Sequence, residues 1–276
     1  MEQLSTANMR VRKITNTVMI DTIDQLAVEE PLEISLDYYV TESRSQKTIS
    51  VTMRTPGNDR ELAAGFLFTE GIIRNKAEIM SIEQEAFDEN RVLVKLQDKT
   101  ELRLQKTERN FYTTSCCGVC GKTSIDAIKT VSIYNAKEDS ISLKADLFYA
   151  MHDSVRSRQS VFDSTGGIHA AALLDLGGNL IQLLEDVGRH NALDKLIGTA
   201  LLNGELPLSN HILLLSGRAS FELVQKACMA GIKVIAAVGA PSSLAVQLAK
   251  ECDITLIGFL RKERFNIYSG ERRIKL

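Results

Sequence analysis

Three of the five cysteines in this 276-residue chain fall within five positions, in the stretch TTSCCGVCGKTS (113–124). Thiols crowded in this way ligate a metal, cycle through a disulfide, or carry sulfur as a nucleophile. The other two, Cys228 and Cys252, lie among alanine, methionine and valine and read as buried, inert thiols. GKTS (121–124) is not the end of a phosphate-binding P-loop, because that motif's first glycine falls on Cys116 and no apolar strand precedes it. A structural zinc site needs four ligands, and the chain has one Cys-x-x-Cys without a second pair. A zinc deaminase carries H-x-E ahead of P-C-x-x-C, whereas His169 follows the cysteines and has Ala171 two positions on. Dithiol redox chemistry needs the pair to open a helix after a strand. TSIDAIKTV (123–131) reads as that helix, capped by Thr123 or Ser124, but NFYTT before it is a weak strand. Zinc and dithiol redox readings stay open beside a third, two thiols on a glycine-rich loop ahead of a helix. Gly118 and Gly121 make that loop mobile. Lys122 and the helix N-terminus favour thiolate over thiol, which raises reactivity.

A loop of this kind needs a scaffold, and the second half of the chain supplies regular elements. SLKADLFYAMHDSVRSRQ (142–159) reads as a helix, and GIHAAALLD (167–175) with NLIQLLED (179–186) as a hairpin around Leu176-Gly177-Gly178. One unit then recurs: an apolar strand, a short polar loop and a helix. The helix NALDKLIGTALLNG follows VGRHN, with Asn191 as cap and Asp194 three positions on. FELVQKACMAG follows HILLLSG (211–217), LAVQLAKEC follows KVIAAVG (233–239), and ITLIGFL (254–260) closes the series. Strands this continuously apolar suit a sheet covered on both faces, with parallel strands joined by crossovers. Residues 1–110 read as a smaller α+β region, with strands at ISVTMRT (49–55) and RVLVKLQ (91–97) around a helix at 58–73 capped by Asn58 or Asp59. The expected division is 1–110, a cysteine loop with its connecting helix over 111–140, and an α/β domain over 141–276.

Ligands of open α/β sheets bind beyond the carboxyl ends of the strands. That rule selects VGRHN (187–191), SGRAS (216–220), GAPSS (239–243) and LRKER (260–264). The candidates there are Gly188, Arg189, His190, Asn191, Ser216, Gly217, Arg218, Ser220, Ser242, Leu260, Arg261, Lys262, Glu263 and Arg264, with His169 from the hairpin. Basic residues, small residues and helix N-termini at one sheet edge point to phosphate, as in a nucleotide or a nucleotide-bearing cofactor. Taken singly, each loop reads equally as a helix cap beside a solvated arginine. His190 and His169 read first as backbone-bonding or core histidines, with a catalytic role as the alternative.

The formal charge of −2 gives no overall attraction to nucleic acid or anionic lipid. No apolar run spans a bilayer and MEQLSTANMRVRKITN has no signal-peptide core, so with an odd cysteine count the expected setting is the reducing cytoplasm.

TTSCCGVCGKTSID, GGIHAAAL, EDVGRHNALDK, SGRASFELVQKA, APSSLAVQLA and LIGFLRKERFNIY together resemble the formate dehydrogenase accessory sulfur-carrier family, from EEPLEI (29–34) to the last strand. The resemblance implies a persulfide sulfurtransferase that takes sulfur from a cysteine desulfurase. The implied acceptor is the bis-molybdopterin guanine dinucleotide form of the molybdenum cofactor, destined for formate dehydrogenase. It implies Cys117 and Cys120 as the catalytic pair, Cys117 bearing the persulfide, with Cys116 outside it. It also implies a C-terminal three-layer α/β sandwich similar to the cytidine deaminase fold without its zinc, a cofactor contact over Phe259–Arg264, GDP or GMP as mimics of the nucleotide part, and a homodimer. A non-catalytic cofactor chaperone and a zinc-stabilised interaction module are the rival readings.

Overall fold

The structure is a computed structural model describing residues 5–40, 43–85, 88–98, 100, 134 and 139–276. The cysteine cluster and its predicted helix lie outside the described residues. The chain opens with an antiparallel ribbon, β1 (Thr6–Thr15) on β2 (Val18–Ala27), which forms a two-stranded sheet of its own. Its aliphatic side chains stay in solvent, Ile14 at 66% and Ile23 at 67% exposure. β3 (Glu30–Val40), β4 (Ser43–Arg54), α1 (Asp59–Thr69), β5 (Ile79–Glu85) and β6 (Asp88–Leu96) form the next unit, whose sheet runs β4-β3-β6-β5. Leu32, Ile34 and Leu36 alternate inward, as strand period requires, and meet Val92, Val94 and Leu96 beneath α1. α1 is shorter than the predicted 58–73, ending at Thr69 with Glu70 as its C-terminal cap before Gly71 turns the chain at φ +74°. Asn58 occupies the predicted cap position, and Asp59 is the first helical residue. Asn58 sits in the left-handed region with no side-chain cap bond, and Asp59 is drawn into a buried fork with Arg54, its carboxylate accepting from Nε at 3.0 Å and Nη2 at 2.9 Å.

Beyond residue 139 come β7 (Leu143–Lys144), α2 (Ala145–Arg156), α3 (Ser160–Thr165), β8 (His169–Asp175), β9 (Leu180–Asp186) and α4 (Arg189–Asn203). β10 (His211–Leu215), α5 (Phe221–Met229), β11 (Val234–Ala237), α6 (Ser243–Glu251), β12 (Thr255–Gly258), β13 (Asn266–Ser269) and β14 (Ile274–Lys275) complete the chain. The main sheet has the order β13-β12-β11-β10-β8-β9. β10, β11 and β12 are parallel, and β8 is antiparallel to both its neighbours, so β9 runs in the same sense as β10. The expected run of like-directed strands is therefore present, but β8 is inserted within it. β10, β11 and β12 are added in one direction, so right-handed crossovers leave their helices on one face. The opposite face needs another cover, and α2 provides it: Phe148, Met151 and Val155 pack on Ala172, Leu174, Ile212, Leu214, Val234 and Ala236. The result is a three-layer α/β arrangement.

The N-terminal unit shares one core with the helical layer. Its seam is the crossing of α1 and α4 through Gly65 and Gly198, where a methyl group on either glycine would fall inside the backbone of the other helix. Buried ions flank that crossing. Lys226 donates to both Asp194 oxygens, at 2.9 and 2.8 Å, and to Thr69 Oγ1 at 2.9 Å, with Glu70 alongside. Burial pushes the Asp194 carboxyl up. Burial also works to discharge Lys226, but Asp194 and Glu70 hold it above the ordinary lysine value.

A second ion cluster fixes the C-terminus. Buried Arg273 donates to Asp139 at 2.9 and 2.6 Å, and to the Asp253 carboxylate at 2.7 Å. Hydrogen bonding from Arg272, only partly offset by burial and reinforced by Arg273, lowers the Asp253 carboxyl to about 2. Its folded value lies below the unfolded value of about 3.9, so its stabilisation is complete above that value and is lost as pH falls towards 2. In acid-unfolding curves Asp253→Asn is expected to lower stability at pH 7 and to flatten its decline between pH 4 and 2. An unchanged slope in that window would contradict the assignment.

Candidate functional site

The carboxyl ends of β9, β10, β11 and β12 emerge at one edge of the sheet, where β8 begins, so His169 joins the four predicted loops. A chain of short contacts connects them. Ser216 Oγ accepts from Ala170 N–H at 2.8 Å, and the Ser216 N–H donates to Ala170 O at 3.0 Å. The imidazole of His169 lies against Gly217, where a Cβ would come within 3.3 Å of Nδ1. Gly239 N–H donates to Gly217 O at 2.8 Å, Ser242 N–H to Ala219 O at 3.1 Å, and Phe259 N–H to Gly239 O at 3.1 Å. A Cβ at Gly239 would approach the Arg218 backbone to 2.8 Å, so the small residue is what lets these two loops touch.

The three helices following these strands point their N-termini at the same edge. Ser242 caps α6, its Oγ accepting from Ala245 N–H at 3.2 Å. Ser220 occupies the cap position of α5 without making a side-chain cap bond. It turns instead towards α4, 3.3 Å from His190 Nε2, and donates to Glu222 Oε2 at 3.3 Å. Glu222 Oε2 also lies 3.2 Å from His190 Nε2. Burial works to raise the Glu222 carboxyl, but hydrogen bonds from His190 and Ser220 hold it below its ordinary value. His169 is pushed down by burial and then by Arg189 and His190, so it stands as a neutral imidazole at pH 7. The repulsion also marks Arg189 and His190 as its neighbours. Arg189 Nε is a buried donor that finds no acceptor among the described residues. An unmet guanidinium N–H beside a neutral imidazole and three helix N-termini suits an anionic oxygen.

Other predicted residues are placed differently. Asn191 does not cap α4, whose cap is Gly188. Its amide turns inward, donating to Met53 O at 2.7 Å and to Asp186 Oδ1 at 3.2 Å. Leu260 is fully buried in the α2-side core, while Phe259 is 44% exposed at a left-handed φ of +53°. Arg261 donates to Val238 O at 2.7 Å, and its N–H to Arg264 O at 2.9 Å, closing LRKER into a turn. Lys262 reaches Asp153 of α2 at 3.5 Å. Arg218, Glu263 and Arg264 are exposed. The start of α3, the helix just ahead of GGIHAA, is anchored from β9, where the Glu185 carboxylate accepts from Val161 N–H at 3.1 Å and Phe162 N–H at 3.0 Å.

Sequence reasoning missed Glu222, Asp186 and Lys195. The only local signal was a charged residue inside an otherwise apolar helix or at a strand terminus, and the partners that define their roles, Thr55 for Asp186 and Lys195, and His190 for Glu222, are remote in the chain. Cys228 and Cys252 touch each other at the far ends of α5 and α6, where their mutual hydrogen bond and then burial push the Cys228 thiol up. Both thiols are half-buried rather than buried, and the raised Cys228 thiol agrees with the expectation of inertness. Among the described residues no group of three or more His, Cys, Asp and Glu is arranged to hold a metal ion, and no helix is long and apolar enough to cross a membrane.

Comparison with known proteins places this arrangement in context. The sulfur carrier protein FdhD of Streptomyces avermitilis is 47% identical over 279 residues, spanning 98% of this chain and 96% of that protein. Its counterpart from Mycobacterium tuberculosis is 44% identical over 280 residues, spanning 98% and 99%. A crystal structure of a formate dehydrogenase accessory protein from Desulfotalea psychrophila superposes with a TM-score of 0.76 at 25% identity, covering 99% of this chain and all of that one. The family profile described as FdhD/NarQ matches residues 27–275, and the chain belongs to the FdhD/NarQ family.

Proposed function

We propose that this protein is a sulfur carrier that accepts persulfide sulfur from a cysteine desulfurase. It passes that sulfur to the bis-molybdopterin guanine dinucleotide molybdenum cofactor, the acceptor substrate, on its way to formate dehydrogenase. The single observation that carries the acceptor is the convergence of Arg189, His190, His169, Ser220 and three helix N-termini at one sheet edge, with the Arg189 Nε donor unmet among the described residues. Guanosine phosphates fit that set, Arg189 and Arg218 offsetting their charge and His169 offering a neutral hydrogen bond. GDP or GMP would occupy the same cradle.

The chemistry belongs to Cys117 and Cys120. A Cys117 thiolate attacks the outer sulfur of the desulfurase persulfide, forming Cys117–S–SH and releasing the desulfurase thiolate. Attack by the Cys120 thiolate on the Cys117 sulfur then expels the outer sulfur as hydrosulfide and leaves a Cys117–Cys120 disulfide. The pair itself supplies the two electrons, which gives the second thiol a reason to exist. The disulfide is reduced by cytoplasmic thiols before the next cycle. The protein works with a cysteine desulfurase and the formate dehydrogenase catalytic subunit as partners, and as a homodimer.

The test is to incubate the protein with a cysteine desulfurase and cysteine, then map added mass by intact-protein and peptide mass spectrometry without reductant. One reductant-labile sulfur on Cys117 or Cys120 is the expected result. An unmodified cluster in protein that still binds GDP would overturn sulfur carriage in favour of a cofactor chaperone.

A further inference from the structure

Behind the VGRHN loop lies a buried charge pair that the sulfur chemistry does not use. Asp186, the last residue of β9, is fully buried, and Lys195, two turns into α4, is 2% exposed. Lys195 Nζ lies 2.7 Å from Asp186 Oδ2 and donates to Thr55 O at 2.7 Å. The same Oδ2 accepts from Thr55 N–H at 3.2 Å. Asp186 Oδ1 accepts from Gly188 N–H at 2.8 Å and from the Asn191 amide at 3.2 Å. Thr55 answers with its hydroxyl, which accepts from Val187 N–H at 3.2 Å. Asn191 returns to the same strand of the N-terminal unit, donating to Met53 O and accepting from Thr52 Oγ1 at 3.2 Å.

One carboxylate thus receives four donors, from the loop, from α4 and from the end of β4. Those bonds consume the inward-facing groups of Val187, Gly188 and Asn191, and leave Arg189 and His190 to face the sheet edge. Charge matters as well as shape. A lone buried carboxylate behind a phosphate cradle would repel the anion or take up a proton, and burial already pushes the Asp186 carboxyl up. Lys195 cancels the charge where the loop needs the acceptor.

We propose that Asp186 and Lys195 are positioning residues: their ion pair clamps the VGRHN loop to the Met53–Thr55 segment of the N-terminal unit, holding Arg189 and His190 in place to receive a phosphate. This rests on reading the loop as part of the cradle for guanosine phosphates. The clamp makes the N-terminal unit a determinant of ligand affinity.

The experiment measures amide hydrogen exchange and GDP titration on the full chain for wild type, Asp186→Asn and Thr55→Val. The threonine variant keeps both backbone bonds to the ion pair and removes only the acceptor of Val187 N–H, so it remains informative if Asp186→Asn folds poorly. In Asp186→Asn, amides 187–191 and 53–55 are expected to exchange about tenfold faster, with β10 and β11 amides unchanged. GDP affinity is expected to fall by about tenfold in the same variant, and by a smaller factor in Thr55→Val. Exchange that rises uniformly across the sheet, or stays unchanged at 187–191 in both variants, overturns the positioning role, since a merely structural pair loosens everything or nothing in particular. Faster loop exchange together with no GDP binding by wild type upholds the clamp and overturns the phosphate cradle.

Discussion

Gly198→Ala is expected to destabilise the protein by about 3 kcal/mol, at the upper end of overpacking costs, and to lower its melting temperature by roughly 6–12 °C. The added methyl meets the Glu61 carbonyl and lies within 2.8 Å of Gly65 N. Every one of these atoms is backbone, so no rotamer change relieves the overlap and α1 must lift away from α4. Lifting α1 uncovers Leu62, Ala63 and Leu67 on one side and Leu193, Leu196 and Ile197 on the other, all of them buried. It also strains Thr69 away from the Asp194–Lys226 pair, at 2.8 Å from Asp194 Oδ1. The control is Gly204→Ala just beyond the end of α4, which has open space around its Cβ and pays only for its left-handed φ of +77°, about 1 kcal/mol. Thermal melts of the two variants should differ clearly. Equal melting temperatures would mean that the crossing tolerates separation.

Cys117→Ala is expected to abolish sulfur loading from a cysteine desulfurase, by at least about a thousandfold, because no other group at that position can hold a sulfane sulfur. Formate dehydrogenase activity in a host depending on this protein should fall to background. Cys120→Ala is expected to separate the two half-reactions: sulfur still loads on Cys117, but the persulfide accumulates because the thiol that expels it is missing. Cys116→Ala should load and release normally. Mass spectrometry of the three variants with and without reductant distinguishes these states, and full loading of Cys117→Ala would move the carrier role to Cys120.

The parts of the fold that were legible are those written in local pattern. HILLL and the strand at residues 234–237 are unbroken apolar runs between glycine-bearing loops, and a doubly covered strand is the arrangement that tolerates them. The placement of the four loops at one edge followed, because like-directed strands share a carboxyl edge. The insertion of β8 between β9 and β10 was not legible, since the pairing of Leu173 with Leu213 is decided between segments that carry no mark of one another. The ribbon β1–β2 was missed for the opposite reason. Its aliphatic residues are largely exposed, so no buried stripe announces two strands. Asn191 and Asp194 look locally like a helix cap and its follower, and remote groups, Met53 O and Lys226, override that reading. Polar residues whose partners lie over a hundred positions away, such as Asp186 with Thr55, are where local pattern has the least to say.

The α1–α4 crossing also sets an order of events during synthesis. The side of α1 that crosses α4 has no cover until α4 has left the ribosome, and β5 to β9 are made in between. A nascent chain halted within that stretch can seat α1 on its own sheet, but the Glu61–Gly65 side of the helix has not yet met its native partner. The protein's most exposed moment is thus fixed by where its chain places one glycine-marked helix relative to the other.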